Sequence, residues 1–299
     1  MQKDKADLFI RKKKEECERL IQLHIWDGID SNSLRAWMKN FSSTEEKFFA
    51  ACILDWLVYR NDKHVLSMIH DLFTKHLHNQ WRLDKNPLYS EDNNPLILLK
   101  NKWNEINFRY VTAVTKIDKD TKSGYHIISQ MNHKMGISSK WNIKCAEIPE
   151  FYNKGIRTFV FVDDIIGTGE QMKTILKEAN IEEYEDIYVY VLVCAGHETG
   201  LNELKKEFPK VRVLCAEFIP NNSNFFEQIP KDEFEKTSID EMRQWYVEFM
   251  RSKNVSNDNI LGRGNLGLLY AFQNNVPNDS LPILYYKNEK LDNLLNKRG

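Results

Sequence analysis

Two adjacent carboxylates, Asp163 and Asp164, end an apolar run and are followed, after Ile165 and Ile166, by Gly167-Thr168-Gly169. Neighbouring acids can accept hydrogen bonds from two adjacent hydroxyls of one sugar, or hold a divalent cation through water. The glycines permit a tight turn in which backbone comes close to a ligand. If a helix begins at Glu170, the amides from Gly167 to Gln171 lack partners within it and make an anion cradle backed by the helix dipole. Thr168 adds a hydroxyl donor. An anion cradle a few residues beyond a diol-binding acid pair describes a site for a 5-phosphoribosyl group. A second polar loop, Thr115 to Gly124, carries Lys122, Ser123 and Gly124. It offers a cation, a hydroxyl and backbone amides to a pyrophosphate. By itself it is an ordinary charged surface loop. Its place one strand-loop-helix unit before the acid pair is what gives it a functional reading.

The elements that must hold these groups are legible as periodicity. Phe108 to Val114, Arg157 to Val162, Ile187 to Cys194 and Val211 to Glu217 are continuous apolar runs. Gly169 to Asn180 and Thr199 to Phe208 have helical character between the last three. Buried strands alternating with helices predict a doubly wound α/β fold with a mainly parallel sheet, whose ligands bind beyond the carboxyl ends of the strands. The first third is helical: Lys5 to His24, then Phe48 to Tyr59 behind a Ser42-Ser43-Thr44-Glu45-Glu46 cap, then Val65 to Trp81. The expected organisation is a helical N-terminal region over 1–90 and an α/β core over 91–299, with a C-terminal extension over about 250–299 forming a hood.

Composition narrows the classes. In 299 residues, 42 Lys and Arg stand against 43 Asp and Glu, a net charge of −1. This excludes the global basic field of a dedicated duplex binder, though not a local basic groove. The run Arg11-Lys12-Lys13-Lys14 is followed by Glu15 and Glu16 and reads as a solvated helix face. No stretch of about 18 apolar residues predicts a membrane span. The charged start Met1-Gln2-Lys3-Asp4-Lys5 lacks a signal-peptide core. Five cysteines without a C-x-x-C spacing predict buried thiols and a cytoplasmic setting. His70, His76 and His78 have no further ligand type near them, and Cys194 near His197 reads as a buried strand thiol beside a loop histidine. Trp56, Trp81, Trp103, Trp141 and Trp245 read as core, with room for one ring to stack on a base.

The run Val162-Asp163-Asp164-Ile165-Ile166-Gly167-Thr168-Gly169 resembles the ribose-phosphate signature of type I phosphoribosyltransferases, in which an apolar strand, two acids, two aliphatics and a Thr-Gly loop bind phosphoribosyl pyrophosphate (PRPP). Towards the C-terminus, Leu261-Gly262-Arg263-Gly264-Asn265 and Asn274 to Pro282 are similar to the PRTase-CE family. That divergent branch occurs in bacterial conflict loci, some beside retron-type reverse transcriptases. The likeness covers about residues 30–299 and is dense only in these segments. It implies that Asp163, Asp164, Gly167, Thr168, Gly169, Glu170 and Gln171 bind the ribose phosphate, with Asp163 and Asp164 catalytic. Lys122, Ser123 and Gly124 would bind the pyrophosphate. Magnesium is the implied cofactor, carried by PRPP and water rather than by direct protein ligands.

The sequence also departs from the orthodox pattern. Gln171 stands where many relatives have Thr or Ser for the 5-phosphate. Gly167 stands where purine-salvage enzymes carry an acid, so no general base for a nucleobase is identified. Glu170 favours the helix start yet would repel phosphate if turned inward. The expected function is transfer of ribose 5-phosphate to an acceptor that the sequence does not name, with release of pyrophosphate, in antiphage defence. The alternative is a non-catalytic module that senses a phosphoribosyl nucleotide and signals through its helical region. Partners from a defence locus, protein or RNA, and a homo-oligomer are both compatible with this chain.

Overall fold

The continuous apolar runs do form the buried strands that their patterning requires. The computed structural model describes residues 3–92, 94–101, 105–115, 123–230, 234, 238–255 and 258–297. It begins with helices α1 (Lys3–Gln22), α2 (Ser31–Met38) and α3 (Thr44–Trp56) and strand β1 (Val58–Arg60). Next come α4 (Asp62–Asp71), a π-helical turn (Leu72–Leu77), α5 (His78–Leu83) and α6 (Pro95–Lys100). The α/β region runs β2 (Phe108–Thr112), α7 (Ser123–Lys134), β3 (Asn142–Ile143), α8 (Ile148–Asn153), β4 (Thr158–Ile166), α9 (Glu170–Glu178), β5 (Tyr188–His197), α10 (Glu198–Glu207) and β6 (Val211–Ile219). α11 (Phe225–Gln228), α12 (Ile239–Ser252) and β7 (Tyr270–Phe272) follow.

Packing divides the chain into two compact units. One holds the residues up to Asp62 together with those from Asn221 onward, and the other is Lys63–Pro220. The division at 90 and 250 follows composition, whereas packing groups the two chain ends together and gives α5 and α6 to the sheet.

In the sheet unit five strands lie in the order β3-β2-β4-β5-β6, every pairing parallel. One face buries Phe159, Phe161, Val189 and Val191 against Met172, Ile175 and Leu176 of α9 and Leu204 of α10. On the other face Trp81 of α5 meets Phe108 edge-on at 5.2 Å. Helices on both faces and uniform strand direction make this a doubly wound α/β fold. Among the boundaries that differ from the sequence expectation, two lie in this unit's site strand and its covering helices. β4 runs on to Ile166, because Ile165 and Ile166 continue the ladder opposite Ala195 and Gly196. The acid pair therefore lies inside the strand, at the sixth and seventh of its nine residues, rather than just past its end. The helix expected over Val65 to Trp81 is interrupted by the π turn, where Thr74 Oγ1 donates to the His70 carbonyl at 2.8 Å and competes with the helical ladder.

The other unit is held by aromatic packing. Phe41 stacks on Phe249 at 5.5 Å, and Phe49 meets Trp245 at 4.9 Å. Trp37 Nε1 donates to the Ile283 carbonyl at 2.8 Å. α3 carries a capping box between Ser43 and Glu46 and buries seven consecutive residues, Phe48 to Leu54, so it is enclosed on all sides. β1 pairs in parallel with β7. Among the described residues no helix is long and apolar enough to cross a membrane. All five cysteines are free thiols.

Candidate functional site

β2 and β4 are neighbours in register, with Thr112 opposite Val162. The chain leaving β2 towards α7 therefore exits beside Asp163 and Asp164, at the carboxyl end of the sheet. The strands that precede the two segments singled out by sequence are neighbours and run in the same direction. α7 begins at Ser123 and packs against β4, with Gly124 buried in its first turn. Lys122 and the loop residues 116–121, like Trp103, lie outside the described residues, and so does the side chain of Ser123.

Asp163 and Asp164 are 3% and 5% exposed. Burying two adjacent carboxylates is costly unless hydrogen bonds offset the lost hydration. Here Asp163 Oδ1 accepts the Asp164 amide at 2.9 Å, and Asp164 Oδ1 accepts the Ile165 amide at 2.8 Å. These bonds orient both carboxylates. Each carboxylate oxygen carries two lone-pair sites and can accept more than one donor. Gln171 reaches back from α9, its Nε2 lying 3.5 Å from Asp163 Oδ2. Its amide group thus meets the acid pair rather than serving only as a stand-in for a phosphate-binding hydroxyl.

Gly167-Thr168-Gly169 forms the turn into α9. Gly169 takes φ +85°, a left-handed conformation that favours glycine, and the helix starts without a side-chain cap. The amides of its first turn have no partner in the helix, which is the condition for binding an anion. Thr168 is half-buried at the loop. Glu170 is exposed, and Lys173 Nζ donates to its Oε1 at 2.9 Å. Lys173 also reaches Glu203 at 3.2 Å and Glu207 at 3.8 Å. The Glu170 carboxylate is therefore drawn outward, and what that residue brings to the loop is its backbone amide.

The turn from β5 into α10 forms a wall that sequence reasoning missed. A Cβ on Gly200 would lie 2.2 Å from the Gly167 carbonyl oxygen and 2.8 Å from the Gly169 nitrogen. Only a residue without a side chain lets α10 approach the Gly-Thr-Gly loop so closely. The signal was present in Glu198-Thr199-Gly200, a glycine in the first turn of a helix after a buried strand, but nothing local ties it to a loop thirty residues earlier. His197 accepts the Thr199 amide on Nδ1 at 3.3 Å and so caps α10. Burial lowers its pKa and holds the imidazole neutral. Cys194 is buried, and its thiol is pushed well up, first by burial and then by the charges of Asp164 and Asp163. It is a protonated strand thiol, as the sequence predicted, and not an activated nucleophile.

A family model described as PRTase-CE matches residues 34–296, which include the whole Lys63–Pro220 sheet unit, most of the other unit and every residue of the candidate site. No curated protein matches the chain.

Proposed function

Since the chain belongs to the PRTase-CE family and is a phosphoribosyltransferase-like protein, we propose that its sheet unit binds PRPP and transfers the ribose 5-phosphate unit to a nucleophile. One observation carries the reading. A buried, backbone-oriented acid pair on β4 leads into an uncapped helix start, beside the strand β2 that precedes α7.

In this scheme Asp163 and Asp164 accept the ribose hydroxyls, and the amides from Gly167 to Gln171, with Thr168 Oγ1, hold the 5-phosphate. The start of α7 at Ser123 and Gly124, with Lys122, receives the pyrophosphate. The bond from the anomeric carbon to the pyrophosphate oxygen breaks as the acceptor's lone pair closes on that carbon. Pyrophosphate leaves with the bonding electrons, and the acceptor's proton passes to water. Positive charge that builds on the ribose ring faces the two carboxylates, which stabilise it without reorganising. Paired carboxylates are the oxygen donors that magnesium accepts through water, so Asp163 and Asp164 fit a magnesium ion carried in with PRPP. When bound, magnesium neutralises charge on the leaving pyrophosphate.

The Gln171 amide turned towards Asp163 favours a second reading, a sensor that binds the phosphoribosyl group without turning it over. The conflict-locus setting of the family supports a role for either form in antiphage defence. Incubating the intact chain with ribose-labelled PRPP, magnesium and cell extract separates the two. Label in a new acid-stable species, with pyrophosphate released in equal amount, is the expected result. Saturable binding with no label transferred favours the sensor. Absence of binding overturns both.

A further inference from the structure

Among the described residues β6 is an edge of the five-stranded sheet, paired with β5 on one side only. Its nine residues, Val211–Ile219, extend about 30 Å at roughly 3.3 Å per residue. The outward backbone groups of an edge strand can be satisfied only by water or by another extended chain. Proteins usually protect such an edge with proline, a bulge or several charges. β6 has none of these at its centre: Val213, Leu214, Cys215 and Ala216 are consecutive, uncharged and half-buried, and Phe218 is 58% exposed.

We propose that β6 is an interface between two copies of this chain, paired antiparallel about a twofold axis through Cys215 to give a continuous ten-stranded sheet.

The strand's own sequence supports a second copy as the occupant. Antiparallel twofold pairing places opposite each other residues that point to the same face. Centred on Cys215, it sets Val211 against Ile219, Arg212 against Phe218, Val213 against Glu217 and Leu214 against Ala216. The exposed ring of Phe218 then receives the exposed Arg212 guanidinium of the other copy, twice, as a cation–π pair. Arg212 is already steered by Asp84, whose Oδ1 lies 3.3 Å from its Nε. The apolar centre covers itself, and the self-complementary order along the strand is what a twofold interface requires. Because β6 and its mate run in opposite directions, the two candidate sites lie at opposite edges of the joined sheet and neither is covered by the pairing.

Cys215 makes the geometry testable, since the other four cysteines are buried. Directly opposed strand residues have Cα atoms about 4.5–5.5 Å apart, within disulfide reach. Light scattering on the intact chain across micromolar concentrations is expected to give twice the mass of one chain. Diamide should convert it to a covalent dimer that Cys215→Ser cannot form. Leu214→Lys should shift the mass to one chain, with the thermal midpoint of the sheet retained. Phe218→Ser, at an exposed position, provides the same test if the lysine variant does not fold. A monomer at every concentration overturns the proposal, as does a dimer unaffected by these variants and not cross-linked through Cys215. Protection of β6 amides that appears only when a different polypeptide is added would also overturn it, assigning the edge to that partner.

Discussion

The two ends of the parallel sheet use polar residues in opposite ways. At the amino end, opposite charges meet each other. Arg157 Nε binds Asp186 at 2.7 Å, and Arg212 Nε lies 3.3 Å from Asp84. The Arg109 guanidinium lies over the rings of Trp141 and Phe151, at 5.2 and 4.7 Å, while donating to the carbonyls of Ile106 and Phe108. Asn86 Nδ2 donates to Thr158 Oγ1 and Tyr190 Oη at 3.1 and 3.3 Å. At the carboxyl end, two like charges are buried side by side on β4 and oriented by backbone amides, beside a helix start that no side chain caps. The first arrangement minimises the energy of the folded chain. The second gathers buried acceptors and helix-start amides at one end of the sheet, which is the form that a preorganised anion and diol site takes. The amino end should therefore govern stability and the carboxyl end ligand binding.

The largest separation of these effects is expected from Arg109→Met. It removes a buried cation that satisfies two carbonyls and should cost about 2–4 kcal/mol of unfolding free energy. PRPP affinity measured below the unfolding transition should stay within about twofold, a change smaller than 0.5 kcal/mol. A large loss of affinity in the folded variant would break the comparison. Next is Gly200→Ala. Its Cβ would press on the Gly167 carbonyl, displacing the loop at a cost of about 1–3 kcal/mol. PRPP affinity should fall roughly tenfold or more, about 1.4 kcal/mol per factor of ten. Unchanged affinity would show that α10 does not shape the site.

His197 should then give a pH signature. Its folded pKa lies below the ordinary 6.5, so the unfolded chain binds more protons as pH falls past that value. The stability it contributes is present above pH 6.5 and lost on acidification. His197→Asn keeps a side-chain acceptor for the Thr199 amide, a cap worth about 1 kcal/mol. Thermal midpoints at pH 7.5 and 5.5 should lie closer together in this variant than in the parent. Equal spacing would show that His197 is not the titrating group. The smallest effect belongs to Arg157→Gln at the amino end, where an exposed ion pair contributes little and the midpoint should move by about 2 °C or less.

The same contrast explains what was legible in the sequence. The sheet unit was readable because four strands are continuous apolar runs and because the acid pair, glycine loop and helix start follow one another within ten residues. Local chemistry was enough to recognise them. Gly200 was not readable, since its contact with Gly167 arises only when β4 and β5 lie side by side. β1 was missed because Val58 to Arg60 continues a helical pattern and becomes a strand only by pairing with Tyr270 to Phe272, two hundred residues later. The outward turn of Glu170 likewise depends on Lys173 and on the acids of α10 around it. Short-range chemistry shows in sequence, and contacts between distant segments do not.

Calorimetric titration of the intact chain with PRPP and magnesium, beside the Asp163→Asn/Asp164→Asn variant, tests the central claim most directly. Replacing two charged acceptors, each worth about 1.5–3 kcal/mol to a hydroxyl donor, should weaken binding by about a hundredfold or more. The variant should still unfold cooperatively, so that the loss of affinity is read on a folded chain. Equal affinity in the parent and the variant would contradict the account.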